Sequence, residues 1–320
     1  LATALCFVLI AAAILSTVFV YLADDINLAD LGWTPIGYRT DYVTDGTRPF
    51  EGIFDGNGYS ISNFKITNGI DYAGLFNANS GEIRNLGVKN FDITMTSSNS
   101  DSFAGGLVAY NTGKIKNCYA IGSIGSTSDE SIVGGLIGAS QEEGIVANCY
   151  ASTVVSGEYA GGLIAFNAGT VTDCYATGNV SSLEFEGIYI GGFIGYNSGV
   201  AITNCYSTGN ISALSTREIC AGSFIGYTRN GEIKNCYSTG VIVADVSAAT
   251  MGNVVGKFIG QNGYTGGNGE TAITNCYCSD DQKITITGTS QTNVEVTQKS
   301  TSELQSVDFQ TSTLTWSSDI

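Results

Sequence analysis

The chain has 320 residues, including 42 glycines, 2 prolines and 9 cysteines but no histidine. Since 43% of the residues are apolar and 13% are charged, the chain can bury a core, which excludes a wholly disordered protein. The two prolines exclude collagen, and the lack of histidine excludes histidine-dependent triads, zinc hydrolases and haem sites. The net charge of −16 opposes binding to nucleic acids and anionic lipids and favours solubility outside a cell.

The chain begins with an apolar segment, LATALCFVLIAAAILSTVFVYLA, that contains no charged side chain. A helix of this length rises about 35 Å, which is enough to cross a hydrocarbon core of about 30 Å. We therefore expect one long hydrophobic α-helix over residues 1–26, whose alanines allow close packing against other helices. The large apolar side chains of this assembly helix are Leu1, Leu5, Phe7, Leu9, Ile10, Ile14, Leu15, Val18 and Phe19.

This apolar segment has no initiator methionine, no basic region before it and no cleavage site behind it. It resembles the mature N-terminus of a type IV pilin or archaellin after cleavage by a prepilin-type peptidase. The resemblance implies a helix that lies in the membrane before assembly and then packs against its copies in a filament core. Leu5 stands where bacterial pilins usually carry glutamate, which favours the archaeal branch. The alternative is a membrane anchor that assembles nothing, and Cys6 is interpreted as a packing residue in either case.

The remainder of the chain is built from a repeat of about 30 residues. Its most regular phrase is Asn-Cys-Tyr, once replaced by Asp-Cys-Tyr, and it is preceded in each copy by a Gly-Gly-Leu or related phrase. The cysteines of successive copies are separated by 31, 25, 31, 31 and 40 residues. They are Cys118, Cys149, Cys174, Cys205, Cys236 and Cys276.

Each repeat contains short β-prone pieces separated by Gly, Asn and Ser turns, with no long helical period. Three short strands in about 30 residues are what one coil of a parallel β-helix requires. The sequence therefore predicts a mainly β protein, a parallel, right-handed β-helix solenoid with one long N-terminal hydrophobic α-helix. Stacked coils would place like residues above like, producing columns of Cys, Tyr and Asn.

The repeat phrase, Gly-Gly-Leu-Ile-Gly followed by Asn-Cys-Tyr-Ala-Thr-Gly, resembles the GLUG repeat of prokaryotic surface proteins and adhesins. Trp33-Thr34-Pro35 and the stretch from Pro49 to Gly58 resemble the segment that often precedes such repeats. We assign residues 27–299 to a GLUG-type β-helix with an N-terminal cap region. Ser300-Thr301-Ser302-Glu303-Leu304 together with Trp316 resembles the segment that closes such arrays. The resemblance implies a capping segment over residues 300–320, which would cover an open coil end.

The six repeat cysteines are interpreted as buried free thiols that fill space in the core, with a disulfide or a metal site as the alternatives. Cys220 and Cys278 lie outside the repeat position and are the better disulfide candidates. The tyrosines from Tyr119 to Tyr277 are expected to stack, and their alternative role is to grip glycans.

Paired acids at 129–130, 142–143 and 280–281 fall between repeat phrases and are read as solvated loops. The Asp-Gly-Asn-Gly string that begins at Asp55 is either a tight turn or a cation site. Because no acid pair recurs with a basic residue beside it, we expect no catalytic, metal or cofactor-binding residues and no enzymatic activity. Asn179 and Asn210 have the form of N-glycosylation acceptors.

These features together predict an extracellular structural protein. The first hypothesis is a subunit of a pilus-like or archaellum-like filament that polymerises through its N-terminal helix, is membrane-inserted before assembly, and displays an acidic β-helix for adhesion or motility. The alternative is a membrane-anchored monomeric adhesin that binds surface glycans or other cells. Neither hypothesis involves a nucleic acid partner or a cofactor.

Overall fold

Short strands separated by glycine and asparagine turns dominate the computed structural model of the chain. It describes residues 18–29, 31–37, 48–67, 70–96, 102–128, 130–182, 185–247, 253–263, 269–288, 296–314 and 316. All the strand pairs in these ranges are parallel, and each strand pairs with its equivalents in the coils before and after it. The described chain is therefore a parallel β-solenoid, and its β architecture agrees with the prediction from the repeat.

One face of the solenoid is a nine-stranded sheet within the described ranges. Its strands alternate between buried and more exposed side chains, so that a single branched or aromatic residue points inward from the middle of each. They are Phe19–Tyr21, Ile53–Asp55, Glu82–Arg84, Lys114–Lys116, Ile145–Ala147, Thr170–Thr172, Ala201–Thr203, Glu232–Lys234 and Ala272–Thr274.

A second group of 21 described strands forms two faces that are joined where the strand Ile211–Gly222 runs through both. One of these faces, which we call the cysteine face, is made mostly of strands that come after a repeat cysteine in the sequence. Its strands are Ile26–Asn27, Ser60–Ser62, Lys65–Ile66, Gly87–Met95, Tyr119–Ser126, Tyr150–Ser156, Tyr175–Ala176, Val180–Ser181, Tyr206–Ser207, Ile211–Gly222, Tyr237–Ser238, Ile242–Asp245, Tyr277–Ser279, Ile284–Thr287 and Thr297–Lys299. The other face is made of strands that lie in the sequence just before a Gly-Gly or related phrase and end at or just before its first glycine. Its remaining strands are Tyr72–Ala73, Phe103–Gly105, Ile132–Gly134, Tyr159–Gly161, Phe185–Gly191 and Val254–Gly256.

The last face is a seven-stranded sheet in the described part of the chain, with one strand per coil. Ile36 and Phe50 extend it by isolated parallel bridges to the first of these strands. The strands are Phe76–Asn79, Val108–Asn111, Ile137–Ser140, Ile164–Asn167, Ile194–Asn197, Ile225–Thr228 and Ile259–Asn262. These seven strands correspond to about seven coils of the solenoid in the described part of the chain.

The turn between the nine-stranded sheet and the cysteine face depends on an asparagine in the left-handed region. Asn117 has φ 53° and Asn204 has φ 57°, and Asp173 takes the same conformation at φ 54°. Asn and Asp tolerate this region better than other non-glycine residues. Their side chains also bond along the solenoid, since the Asn204 Nδ2 donates to the Asp173 Oδ1 at 2.9 Å. We call these residues, Asn117, Asp173 and Asn204 with their equivalents in the other coils, the asparagine column. They fix both the turn and the spacing of successive coils.

The core is a set of columns that run along the solenoid axis. Leucines and phenylalanines that follow the Gly-Gly phrase form one column, in which the Phe193, Phe224 and Phe258 rings stack at 4.8 and 4.7 Å. All three rings have 0% exposure. Stacking of identical apolar side chains one coil apart buries them on both sides, which is the main source of stability in such a repeat protein.

The N-terminal helix predicted over residues 1–26 is wrong where the structure describes it. Phe19–Tyr21 is a strand that pairs in parallel with Ile53–Asp55, and Ile26–Asn27 pairs with Ser60–Ser62. Val20 points into the core, while the Phe19 side chain is 56% exposed. This two-residue alternation suits an edge coil, because the neighbouring coil supplies the backbone hydrogen bonds that a helix would supply internally.

Of the predicted assembly residues, Val18 packs partly buried against the core and Phe19 lies on the exposed face of the first strand. The other seven, and Cys6, lie outside the described residues; they are Leu1, Leu5, Phe7, Leu9, Ile10, Ile14 and Leu15. No helix in the described ranges is long and apolar enough to cross a membrane.

Residues 300–316, hereafter the C-terminal segment, contain two short helices, Thr301–Leu304 and the π-helix Phe309–Thr313. The Ser300 side chain caps the first helix by accepting a hydrogen bond from the Glu303 backbone N–H. Four apolar residues of the segment pack with Tyr237 in a second, smaller core. They are Leu304, Phe309, Leu314 and Trp316.

The bend at the Gly-Gly phrase yields a test of the fold. A Cβ atom on Gly161 would lie 1.8 Å from the Ile164 carbonyl oxygen, whereas a Cβ on Gly187 would meet no atom within 4 Å. We expect Gly161→Ala to lower the free energy of unfolding by about 1–3 kcal/mol, and the matched Gly187→Ala to leave it nearly unchanged. Urea denaturation would measure both, and equal effects of the two substitutions would contradict the tight bend.

Candidate functional site

The six repeat cysteines form one buried column, the cysteine column, in which each is at most 5% exposed. The Cys118 Sγ donates to the Lys116 carbonyl at 3.2 Å, and the Cys118 backbone N–H donates to the Cys149 Sγ at 3.4 Å. Leu86 is equally buried one coil earlier, immediately before the strand residue Gly87 that pairs with Tyr119. The column is therefore a set of packed, hydrogen-bonded thiols that a leucine can replace at its end.

The eight cysteines in the described part of the chain are all free thiols. These include Cys220, whose Sγ donates to the Gln261 Oε1 at 3.3 Å, and Cys278. Burial raises the pKa of the Cys118, Cys205 and Cys220 thiols and raises the pKa of Cys278 to about 11. These four thiols therefore stay protonated near neutral pH, and a protonated thiol is a poor nucleophile and a poor metal ligand. Among the described residues, no group of three or more Cys, Asp or Glu side chains is placed to hold a metal ion.

The tyrosines that follow the cysteines form the tyrosine row, which comprises Tyr119, Tyr150, Tyr175, Tyr206, Tyr237 and Tyr277. The first five rings stack at centroid distances of 5.0, 4.8, 4.8 and 5.0 Å with planes within 5° of parallel. Since each ring face is covered by the next ring, the row presents ring edges and hydroxyls to its surroundings. A sugar therefore cannot stack on a ring face inside the row.

The C-terminal segment covers one half of the tyrosine row. The Trp316 ring lies 5.8 Å from Tyr206 and 5.7 Å from Tyr237 and is nearly parallel to both. The Trp316 Nε1 donates to the Asn235 carbonyl at 3.2 Å. Tyr237, at the centre of the covered half, is only 2% exposed, whereas the other five tyrosines of the row are half-buried.

A second aromatic surface, which the sequence analysis missed, lies where the face that precedes Gly-Gly meets the seven-stranded sheet. The rings of Tyr159 and Tyr189 lie 5.0 Å apart, and Tyr189 meets Tyr196 and Tyr227 edge to face at 5.6 and 5.5 Å. We call this set, with Phe166, the corner cluster. All but Tyr227 are half-buried and none is capped by the C-terminal segment's core. Alignment of the repeats on Gly-Gly would have revealed it.

Carboxylates lie beside the corner cluster. Glu158, directly before Tyr159, is 7% exposed and accepts a hydrogen bond from the Glu130 backbone N–H. Burial, and then the charges of Glu158 and Glu130, raise the pKa of Tyr159 to about 12. Burial also raises the pKa of Tyr189, with Glu218 among the groups that contribute. The corner thus combines aromatic rings, neutral hydroxyls and carboxylates at one surface.

The other candidate sites are simpler. At the Asp-Gly-Asn-Gly string, the Asn57 N–H donates to the Asp55 Oδ1 at 2.9 Å and Arg84 forms an ion pair with Asp55, so the string is a tight turn. Glu130 and the acid pairs at 142–143 and 280–281 are exposed, and Asp129 lies outside the described residues.

Asn179 and Asn210, the predicted glycosylation acceptors, are both exposed at the same turn of successive coils. The Asn179 Oδ1 accepts from the Asn210 N–H at 3.0 Å, and the Asn210 Oδ1 accepts from the Val241 N–H at 3.0 Å. Their exposure is compatible with modification, which stays a prediction.

Comparison with known proteins agrees with this repeat architecture. The GLUG motif matches residues 104–125, 156–181, 186–212 and 218–243, so the chain contains GLUG repeats over about a third of its length. Over 138 residues, 40% of the chain, it is 31% identical to halomucin of Haloquadratum walsbyi. The chain spans only 1% of the length of that relative.

Two solved structures share the fold. One is a Bacteroides ovatus protein described as a candidate immunoglobulin A1 protease, with a TM-score of 0.55, 21% identity, and coverage of 91% of this chain and 80% of that chain. The other, described as an IgA1 protease, has a TM-score of 0.50 and 20% identity, and covers 88% of this chain and 19% of that one. At such identities the likeness shows the β-solenoid fold alone.

The raised tyrosine pKa values predict alkaline instability. Burial, and then the neighbouring Tyr175, raise the pKa of Tyr206 to about 12, whereas an unfolded tyrosine titrates near 10. The folded state therefore holds this proton more tightly, and its contribution to stability is complete below about pH 10 and is lost as the pH rises through about 12. Thermal unfolding of Tyr206→Phe should show a weaker decline across this range than the unsubstituted chain. An identical decline would contradict the raised pKa; Tyr21→Phe, at an exposed side chain, is the control.

Proposed function

We propose that the chain is an extracellular cell-surface domain whose role is adhesion, and that it is not an enzyme. The GLUG repeats, the β-solenoid and the similarity to halomucin support a surface-protein domain. The net charge of −16 supports display in an aqueous exterior and opposes contact with nucleic acid or anionic lipid. The proposed partners are surface glycans or other cells.

The corner cluster is the observation that carries this proposal. Phe166, Tyr196 and Tyr227 stack on one another at 5.3 and 4.9 Å. The Tyr159 and Tyr189 rings are tilted by 32°, and Tyr189 meets Tyr196 and Tyr227 edge to face, so the faces of these two rings are not covered by parallel neighbours as they are inside the tyrosine row. Pyranose rings bind proteins by laying apolar C–H surfaces on aromatic rings while their hydroxyls bond to carboxylates and hydroxyls. Glu218 and the phenols of Tyr159 and Tyr189 offer such groups.

A non-catalytic role fits the distribution of acids. Carbohydrate-cleaving enzymes work with two carboxylates held on either side of a bond. Here the pairs at 142–143 and 280–281 lie in exposed turns, and the buried Glu158 carboxylate is bonded to a backbone N–H. Protease activity belongs to the descriptions of two proteins with 21% and 20% identity, and the likeness to them concerns fold.

Filament assembly is the finer hypothesis, and it now depends on residues that are not described. The strand Phe19–Tyr21 belongs to the solenoid and is not available as part of a filament-core helix. Polymerisation and membrane insertion stay predictions for residues 1–17, whose composition is apolar. Adhesion does not require them, because the corner cluster lies in the middle of the solenoid.

A binding comparison tests the adhesion proposal. The full chain and its Tyr159→Ala/Tyr189→Ala variant would be applied to a glycan array and to intact cells, with Tyr21→Ala as the matched control on a remote face. Loss of two ring contacts should weaken glycan or cell binding by about tenfold or more, while the control binds normally. Tyr159→Phe/Tyr189→Phe keeps both rings and should still bind. A loss of binding that occurs only in the alanine variant would then report the loss of the ring contacts. Undiminished binding by the alanine variant, or no binding by the unsubstituted chain, would contradict the proposal.

A further inference from the structure

The tyrosine row is already in contact with one peptide segment in the structure, the C-terminal segment of the same chain. Trp316 lies alongside Tyr206 and Tyr237, and Phe309 meets Tyr277 edge to face at 5.0 Å. The polar contacts come from the asparagine column: the Asn235 carbonyl accepts from Trp316, and the Asn275 Nδ2 donates to the Thr313 carbonyl at 3.0 Å. The site that the C-terminal segment occupies, hereafter its seat, therefore consists of the edges of stacked tyrosine rings beside a line of asparagines.

The same seat recurs in the earlier coils because the solenoid repeats. Tyr119, Tyr150 and Tyr175 stack at 5.0 and 4.8 Å, the spacings found in the covered half. Asn117, Asn148 and Asp173 precede this half in the same left-handed conformation as Asn235. Its three tyrosines are half-buried, as Tyr206 is at the margin of the covered half, and none of them is enclosed as Tyr237 is, so part of each side chain is accessible.

Charge also matches the two partners. Within the C-terminal segment the charged residues are Glu303 and Asp308, so the segment is acidic. In its seat Glu303 forms an ion pair with Lys299. At the accessible half, the Lys89 ammonium lies 5.4 Å from the centre of the Tyr119 ring, and Lys116 directly precedes Asn117. These lysines would attract an acidic segment near Tyr119, and Asp173 places the one carboxylate of the asparagine column at the other end of this half, beside Tyr175.

We propose that the accessible half of the tyrosine row, Tyr119 to Tyr175, is a docking surface for an acidic, tryptophan-bearing protein segment of the kind exemplified by residues 300–316. The indole would lie beside two neighbouring tyrosines and donate its N–H to a backbone carbonyl of the asparagine column. A second copy of this chain carries such a segment, and its Trp316, which is 5% exposed beside Tyr206 and Tyr237, would leave that place on docking, so that the segment is exchanged between copies. This surface is separate from the corner cluster and does not depend on the adhesion proposal.

A labelled peptide with the sequence of residues 300–316 tests the proposal by fluorescence anisotropy against the full chain. We expect saturable binding that is lost with the Trp316→Ala peptide. Tyr150→Ala/Tyr175→Ala in the chain should weaken binding by about tenfold, and Tyr21→Ala should not. Lys89→Gln/Lys116→Gln should weaken binding and reduce its salt dependence, without altering the stacked rings.

Three results would overturn the proposal. The first is absence of peptide binding by the unsubstituted chain. The second is binding that survives Tyr150→Ala/Tyr175→Ala but increases in a Trp316→Ala chain, which would mean exchange at the seat on Tyr206 and Tyr237. The third is that the unsubstituted chain binds soluble glycans in place of the peptide and that Tyr150→Ala/Tyr175→Ala abolishes this glycan binding.

Discussion

The parallel, in-register hydrogen bonding between coils is the constraint on which the rest of the structure depends. A strand of two to four residues cannot satisfy its own backbone groups, so each coil is stable only against its neighbours. The register of Ile115, Val146 and Val171 shows that equivalent residues of successive repeats meet despite spacings of 31 and 25 residues. Length differences are absorbed in loops, and the columns of cysteine, tyrosine and asparagine follow from the register.

Two aromatic surfaces with different chemistry result from the same constraint. In the tyrosine row the rings stack face to face, so the surface offers edges, hydroxyls and the adjacent asparagines, which suits a protein segment such as the one that carries Trp316. In the corner cluster, strands of two sheets bring Tyr189 edge to face with Tyr196 and Tyr227 near Glu158 and Glu218, and these are the groups that the adhesion proposal assigns to glycan binding. One repeat sequence thus supplies a long scaffold and distinct binding faces on it.

The repeat made the solenoid and the burial of Cys118 or Cys205 predictable, because spacing alone places equivalent residues in a column. The helix over residues 18–26 was mispredicted because length and apolar content do not distinguish a spanning helix from the edge strand that begins at Phe19. Only the alternation of Val20 with Phe19 and Tyr21 indicates a strand, over a very short stretch. The corner cluster was missed because its column is interrupted by Ile132 and Cys220. The seat of Trp316 depends on contacts across 81 residues that no local pattern encodes.

The distance between the first and last strands of the nine-stranded sheet tests the account most directly. Spin labels on Phe19→Cys and Ala272→Cys, both exposed positions, would be separated by eight coil steps in that sheet. Pulsed electron resonance in a Cys6→Ser background, where the other native cysteines are buried, should give a narrow distribution near 38 Å, from about 4.8 Å per step. A broad distribution, or a distance far from this value, would contradict both the stacked register and the inclusion of Phe19–Tyr21 in the solenoid.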